Sequence, residues 1–283
     1  MTDVGDDGVT RVRGRLLDLS YEIAVSDAPL GAHLRAVYRD SCDEIADVDE
    51  TFALTSSGPD EFVILRDGAR IDSSPRARWA LGSLHWHINR RIVATSQRSV
   101  LVHAGALELR GRAVLVVGAS GAGKSTATAS LVMAGLGYLT DDMTAVGPDG
   151  LLTGAAKPIG LRAPSLELLG LEHRDLQQPP AEYLVDDDRQ RFVAASSLGA
   201  SVVSSAEPGL VVFLSAELPA GDAAEVRRPM ALARLSEYAF DLDRRGGPGF
   251  EALAEMVRGS TCWEWGRSAA TDFVDFVNLT VDW

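Results

Sequence analysis

Eight consecutive residues, Gly118-Ala119-Ser120-Gly121-Ala122-Gly123-Lys124-Ser125, satisfy every fixed position of the pattern G-x-x-x-x-G-K-S/T. The chemistry open to such a run is the grip of a polyphosphate. Glycine tolerates dihedrals that a side chain forbids, so the backbone wraps around phosphate oxygens and turns successive N–H groups toward them. At the lysine position an ammonium reaches the terminal phosphates, and the hydroxyl after it ligates magnesium. Lys124 and Ser125 take these two roles, and Thr126 completes the phosphate-binding set. The context fits: the fully apolar residues 113–117, AVLVV, read as a buried strand before the loop, and residues 124–134 as a helix after it. The expected ligands are ATP and Mg2+.

Asp141 and Asp142 end the next short strand, Tyr138-Leu139-Thr140. Carboxylates at the carboxyl end of a strand, beside the phosphate loop, stand where open α/β sheets bind their ligands. One of them can hold magnesium, Asp141 being assigned to the metal with Ser125, while the other accepts a proton from an attacking hydroxyl. The residues alone leave open which aspartate is the base, and a helix cap or solvated turn is the plainer alternative for such a pair. His103 falls on a strand expected to pair with the P-loop strand. A lone histidine among apolar residues is more often a satisfied core residue than a functional one. Lys157 and Arg162, in Lys157-Pro158-Ile159-Gly160-Leu161-Arg162, offer cations to a phosphate or an acidic peptide, or else are solvated surface charge.

The elements that must position these groups change character near residue 100, which divides the chain into a small N-terminal α+β domain, residues 1–99, and a P-loop domain, residues 100–283. In the first, Phe62-Val63-Ile64-Leu65 and the turn Arg66-Asp67-Gly68 read as strand and hairpin turn. Residues 76–94 read as a helix from the spacing of Trp79, Ala80, Leu84, Ile88 and Val93. In the second, VLVHAGALEL, the turn Arg110-Gly111-Arg112 and AVLVV form a hairpin, and Gly147-Pro148-Asp149-Gly150 turns another. Residues 172–198, with Pro179-Pro180 and Asp186-Asp187-Asp188, read as long loops or an insert. Residues 210–214 read as a further buried strand, and the C-terminal part as helical.

With 283 residues, 46% of them hydrophobic and 24% charged, the chain can bury a sizeable core. Its net charge of -13 sets a field that repels nucleic acid and anionic membrane, so neither is an expected partner. Arg76, Arg78, Arg90, Arg91 and Arg98 form the densest cationic group and read as a solvated helix face. Cys42 and Cys262 are far apart and suggest neither a disulfide framework nor a zinc knuckle. The N-terminal residues lack the apolar core of a signal peptide, and no apolar run reaches a membrane span, so a cytoplasmic location is expected.

His103, the P-loop and Asp141-Asp142, in this order and over residues 100–162, resemble the HPr kinase/phosphorylase family. In that family a histidine precedes the P-loop by a short hairpin and an Asp-Asp pair follows it. The resemblance implies a P-loop kinase core on a mixed sheet, related to phosphoenolpyruvate carboxykinase. It implies transfer of the γ-phosphoryl group of ATP to a serine of a peptide or protein, with Asp141, Asp142, Lys124 and His103 as catalytic residues, and it makes a homo-oligomer an expectation. Where the bifunctional enzymes carry an E-x-R-G signature this chain has the Lys157 to Arg162 run, so phosphorylase activity is not expected. The chain looks more like the HPr-kinase-like enzymes of ribosomal peptide pathways, including lasso-peptide tail kinases. Other classes open to the same motifs are an ATPase or nucleotide-dependent switch with no phosphorylated acceptor, a carboxykinase-like enzyme and a nucleotide-sensing module.

Overall fold

Alternation builds the first sheet. In β1 (Thr10–Leu16) Arg11, Arg13 and Arg15 point outward while Val12, Gly14 and Leu16 are buried. This strand pairs antiparallel with β2 (Leu19–Val25). Helix α1 (Ala28–Tyr38), capped by the Asp27 carboxylate accepting from the Leu30 N–H at 2.8 Å, carries the chain across so that β3 (Glu50–Gly58) runs parallel to β2. The meander β4 (Glu61–Arg66) and β5 (Ala69–Ser74) completes a five-stranded sheet in order β1-β2-β3-β4-β5. Asp67 (φ 50°) and Gly68 (φ 79°) make the tight turn between them. The computed structural model describes residues 8–58, 61–174, 176 and 191–281.

Helix α2 (Ala77–Thr95) lies on this sheet through Ala77, Ala80, Leu81, Leu84, Ile88 and Ile92. The expected helix is present, but Trp79 does not belong to its inner face; it is half exposed, because the buried stripe runs through Leu81 instead. Arg91 reaches back from α2 to pair with the nearly buried Glu50 of β3.

The second sheet begins at β6 (Val100–Val102) and continues through β7 (Ala104–Leu109) and β8 (Arg112–Val117). The expected hairpin joins β7 to β8, its two turn residues Arg110 (φ 54°) and Gly111 (φ 81°) both left-handed. The expectation of one strand from residue 100 to 109 is corrected. The chain breaks at His103, since β6 leaves to pair with β10 while β7 stays with β8. Helix α3 (Lys124–Met133) follows the P-loop, then β9 (Gly137–Thr140), β10 (Thr144–Val146) and β11 (Leu152–Gly154), the last two hairpinned as expected. Next come β12 (Ile159–Leu161), α4 (Ala163–Leu168) and β13 (Arg191–Val193), the two strands pairing as a separate ribbon. Of the expected loop over residues 172–198, residues 175 and 177–190 lie outside the described residues. The remainder is no plain loop, since residues 191–193 form β13 and residues 195–198 a short 3-10 turn.

The strand β14 (Ser205–Ser215) runs parallel to β8, with all residues from Pro208 to Phe213 buried. After it come β15 (Ala223–Glu225), α5 (Arg228–Glu237), α6 (Leu242–Arg258), β16 (Thr261–Gly266) and α7 (Ala270–Thr280). The helical spacing read over residues 230–240 and 250–257 falls on α5 and α6, but the C-terminal part is not helical throughout: β16 pairs parallel with β14 and antiparallel with β15. The resulting nine-stranded mixed sheet has the path β6-β10-β11-β14-β8-β7-β9, with β16 on β14. Val114 and Val116 of β8 face a core shared with α3 and α7, and Leu115 and Val117 face one shared with α5 and α6. The molecule is therefore a mixed α/β protein with helices on both faces of its larger sheet. Leu101, Met143, Ala145 and Ala155 belong to the core built by the first sheet and α2, so the apolar interior is continuous between the two sheets. Among the described residues no helix is long and apolar enough to cross a membrane.

Candidate functional site

Strand β8 delivers the chain to the loop from the middle of the sheet, with β7 on one side and β14 on the other. Gly118 sits where an added Cβ would lie 3.0 Å from the Ala122 Cβ and 3.3 Å from the Leu214 Cβ, so a side chain there would have to push its neighbours back by a few tenths of an ångström. Gly121 (φ 78°) and Gly123 (φ 99°) are left-handed, and Gly123 is the N-cap of α3. The first-turn amides of α3, on Lys124, Ser125 and Thr126, have no acceptor within the helix and open toward the cavity. The Lys124 ammonium lies back over the loop, donating to the Gly118 carbonyl at 2.7 Å and the Ala119 carbonyl at 3.2 Å. Burial lowers its pKa against the opposing pull of Asp142 and Asp141. The Thr126 hydroxyl lies 2.7 Å from that of Ser165, tying α3 to α4.

The two aspartates meet different surroundings. Asp141 is 3% exposed; its Oδ2 accepts from the Gly160 N–H at 3.2 Å, and its Oδ1 has no hydrogen-bond partner among the described residues. Burial, helped by the Asp142 charge, pushes its pKa up to about 6, while Lys157, the Ser125 hydroxyl and the Gly160 N–H pull it down. Asp142 lies with His103 Nδ1 3.0 Å from its Oδ1 and Lys157 Nζ 2.9 Å from its Oδ2. Burial would raise it, but Lys157 and then His103 more than offset this and hold the carboxyl well below the ordinary range. Lys157 is itself buried, and its ammonium also donates to Asn89 Oδ1 of α2 at 3.3 Å.

The structure thus brings together His103, Lys124, Ser125, Asp141 and Asp142, all named from the sequence. His103 stands at the break before β7, one residue ahead of Ala104, which pairs with Val117 at the end of β8. Its backbone N–H donates to the Tyr238 carbonyl at 2.8 Å, and Phe240 packs edge-on to its ring at 5.4 Å. A cavity of about 790 Å3 opens over these residues, lined by the P-loop, His103, Asp142, Arg162, Ser165, Trp265, Arg267 and Phe273. Arg162 enters this lining, as a cation able to meet a phosphate must. Lys157 does not; it is spent on Asp142, a role that neither sequence reading of it foresaw. Trp265, Arg267 and Phe273 had no local signal, since the β16–α7 junction reaches the cavity only through tertiary packing, and neither had Asn89, which α2 brings to Lys157 rather than to the cavity. Arg76, Arg78, Arg90, Arg91 and Arg98 stay outside the lining.

The residues present fit a magnesium ion. Asp141, with its Oδ1 unpartnered among the described residues and its carboxyl felt by the Ser125 hydroxyl, offers one carboxylate oxygen and Ser125 one hydroxyl oxygen, and magnesium in nucleotide sites takes its remaining ligands from phosphates and water. No cluster of three His, Cys, Asp or Glu is found among the described residues, and a site sharing its coordination with phosphates needs none. Compared with known proteins, the chain matches no family model and no curated sequence.

Proposed function

We propose that this chain is an ATP-dependent kinase of the HPr-kinase-like kind that phosphorylates a serine hydroxyl of a peptide or protein. The observation that carries the reading is a complete P-loop facing the same cavity as an aspartate held between a histidine and a lysine. The loop amides and Lys124 cradle the β- and γ-phosphates, Lys124 turning from the loop carbonyls to the nucleotide. Asp141 and Ser125 would hold magnesium, which when bound offsets charge on the phosphates. Asp142, kept anionic by Lys157 and His103, orients the serine hydroxyl and accepts its proton as the oxygen attacks the γ-phosphorus and the bond to the β-phosphate oxygen breaks. A strongly acidic aspartate suits this step, because phosphoryl transfer asks more of positioning than of base strength. The proton passes on to water, and ADP and the phosphoserine leave.

The test uses magnesium and γ-labelled ATP with and without a pool of Ser-containing peptides, on wild type, Asp142→Asn and Lys124→Ala. Label on serine in wild type, lost in both variants, is the expected result. Phosphate released at one rate whether or not an acceptor is present would replace the kinase with a nucleotide-dependent switch.

A further inference from the structure

Helix α2 turns two faces to its surroundings that the cavity does not account for together. Its outer face carries Trp79, Ser83, Trp86 and Arg90, three or four residues apart and therefore in one stripe, which Arg76, the extended residue before the helix, continues by lying over Trp79. Trp79 and Trp86 are 50% and 53% exposed, with Arg76 4.9 Å from the first ring and Arg90 4.8 Å from the second. Guanidinium–indole pairs of this kind leave the ring edges and the outer N–H groups of arginine open to a ligand. Asp72, a carboxylate beside the stripe, accepts from the Ser83 hydroxyl and lies 3.5 Å from His87 Nε2. In a chain of net charge -13 the stripe is an island of cationic and aromatic surface. Its C-terminal end adjoins the site, for Asn89, next to Arg90, contacts Lys157, which holds Asp142.

We infer that this stripe docks an acidic segment of the acceptor peptide, one with an aromatic or aliphatic side chain between carboxylates, and so brings a serine further along the peptide to Asp142. The inference rests on the kinase reading for its serine and on charge complementarity for its acidic partner. Carboxylates pair with Arg76 and Arg90 while the apolar residue between them packs on Trp79 and Trp86. At physiological salt the fields of exposed charges fade within about 8 Å, so the local cations outweigh the distant acidic surface for a short peptide. A nucleic-acid strand, with a phosphate on every nucleotide, meets much more of that surface.

The experiment measures fluorescence anisotropy of a labelled Ser-containing peptide bearing Glu-Phe-Glu, and of its Lys-Phe-Lys counterpart, on the full chain without nucleotide. The proteins are wild type, Trp79→Ala/Trp86→Ala and Arg76→Glu/Arg90→Glu, with ADP affinity as the check that each is folded. The expected result is at least ten-fold tighter binding of the acidic peptide by wild type, lost ten-fold or more in both variants while ADP binding is unchanged. In transfer assays the variants raise the acceptor KM and leave kcat and the ATP KM in place. Equal binding of the two peptides, wild-type affinity in the variants, or tighter binding of a single-stranded oligonucleotide of equal length would overturn the inference. Because binding is read without nucleotide, failure of phosphoryl transfer alone leaves the docking result standing. Transfer to serine with no stripe dependence sinks docking and spares the kinase.

Discussion

Asp141 and Asp142 are neighbours in sequence whose proton affinities move in opposite directions, because one is closed away from water and the other meets the Lys157 ammonium and the His103 ring. On the proposed kinase reading, a pair driven apart in this way would separate metal holding from hydroxyl orientation. The separation carries a stability consequence. Asp141 is raised to about 6 from an ordinary value near 3.8, so the folded protein binds the extra proton and loses stability as pH rises through that window. At pH 7.5 without metal, Asp141→Asn should therefore stabilise the fold by about 1–3 kcal/mol, at roughly 1.4 kcal/mol per ten-fold of proton affinity, while abolishing stabilisation by magnesium and ATP. Urea denaturation in EDTA reads the first effect, and a destabilised variant would contradict the burial argument. For Asp142 the partner is the lever. Lys157→Met leaves the carboxylate half-buried and short of a cation, with an expected loss of about 1–3 kcal/mol, less than for a fully buried pair because a third of the Asp142 side chain is exposed. Serine phosphorylation should fall by about 10²-fold or more with the ATP KM little changed, and Lys157→Arg should recover part of it.

Helix α3 sits against β7 and β8, which fixes where its N-terminal amides point, and Gly105 sets its distance from β7. A Cβ there would run into the Thr128 hydroxyl and come within 3.3 Å of the Asp141 carbonyl. Gly105→Val should destabilise the protein by about 1–3 kcal/mol and, by pushing α3 outward, weaken ADP binding as well; calorimetry on the two proteins would show it. Affinity kept at reduced stability would mean that the loop is held by β8 alone. The strand–loop–helix core was legible because its signals are local: five apolar residues, then glycines at fixed places, then helical spacing. So were the two left-handed turns, whose residues select the turn by backbone preference. The strand β16 was not legible, because TCWEWG lacks clean alternation and becomes a strand through its pairing with β14, some fifty residues earlier. The break at His103 follows from β6 choosing β10, and the tie between Lys157 and Asp142 from where the ribbon of β12 and β13 is folded. Each is a long-range contact, invisible to a reading along the chain.

Across the whole molecule the first sheet is joined to the P-loop half by shared interior, and two measurements test that join. His85 of α2 packs tilted against Phe192 of β13, ring centroids 3.8 Å apart, and binds the Tyr38 hydroxyl at 2.6 Å, while its other ring nitrogen is shut from water without a hydrogen-bond partner among the described residues. Burial, with Lys157 and His33 nearby, lowers its pKa from 6.5 to about 3. The unfolded chain then takes up a proton that the folded one refuses, so stability is complete above pH 6.5 and falls toward pH 3 by up to about 1.4 kcal/mol per unit. His85→Gln should flatten this acid limb in parallel urea titrations, and an unchanged limb would free His85 of the role. The second test cuts the chain. Without residues 1–99, Leu101, Met143, Ala145 and Ala155, each at most 3% exposed, would lose the α2 side chains that cover them, and Lys157 would lose Asn89. An apolar face of that kind is an aggregation surface, and a core cut open does not keep its packing. Residues 100–283 alone should therefore aggregate or unfold without a cooperative transition by circular dichroism, and co-expression with residues 1–99 should restore a soluble complex that binds ADP. A soluble fragment that melts cooperatively at the temperature of the full chain would show instead that residues 100–283 form an independent domain that does not need the first sheet to fold.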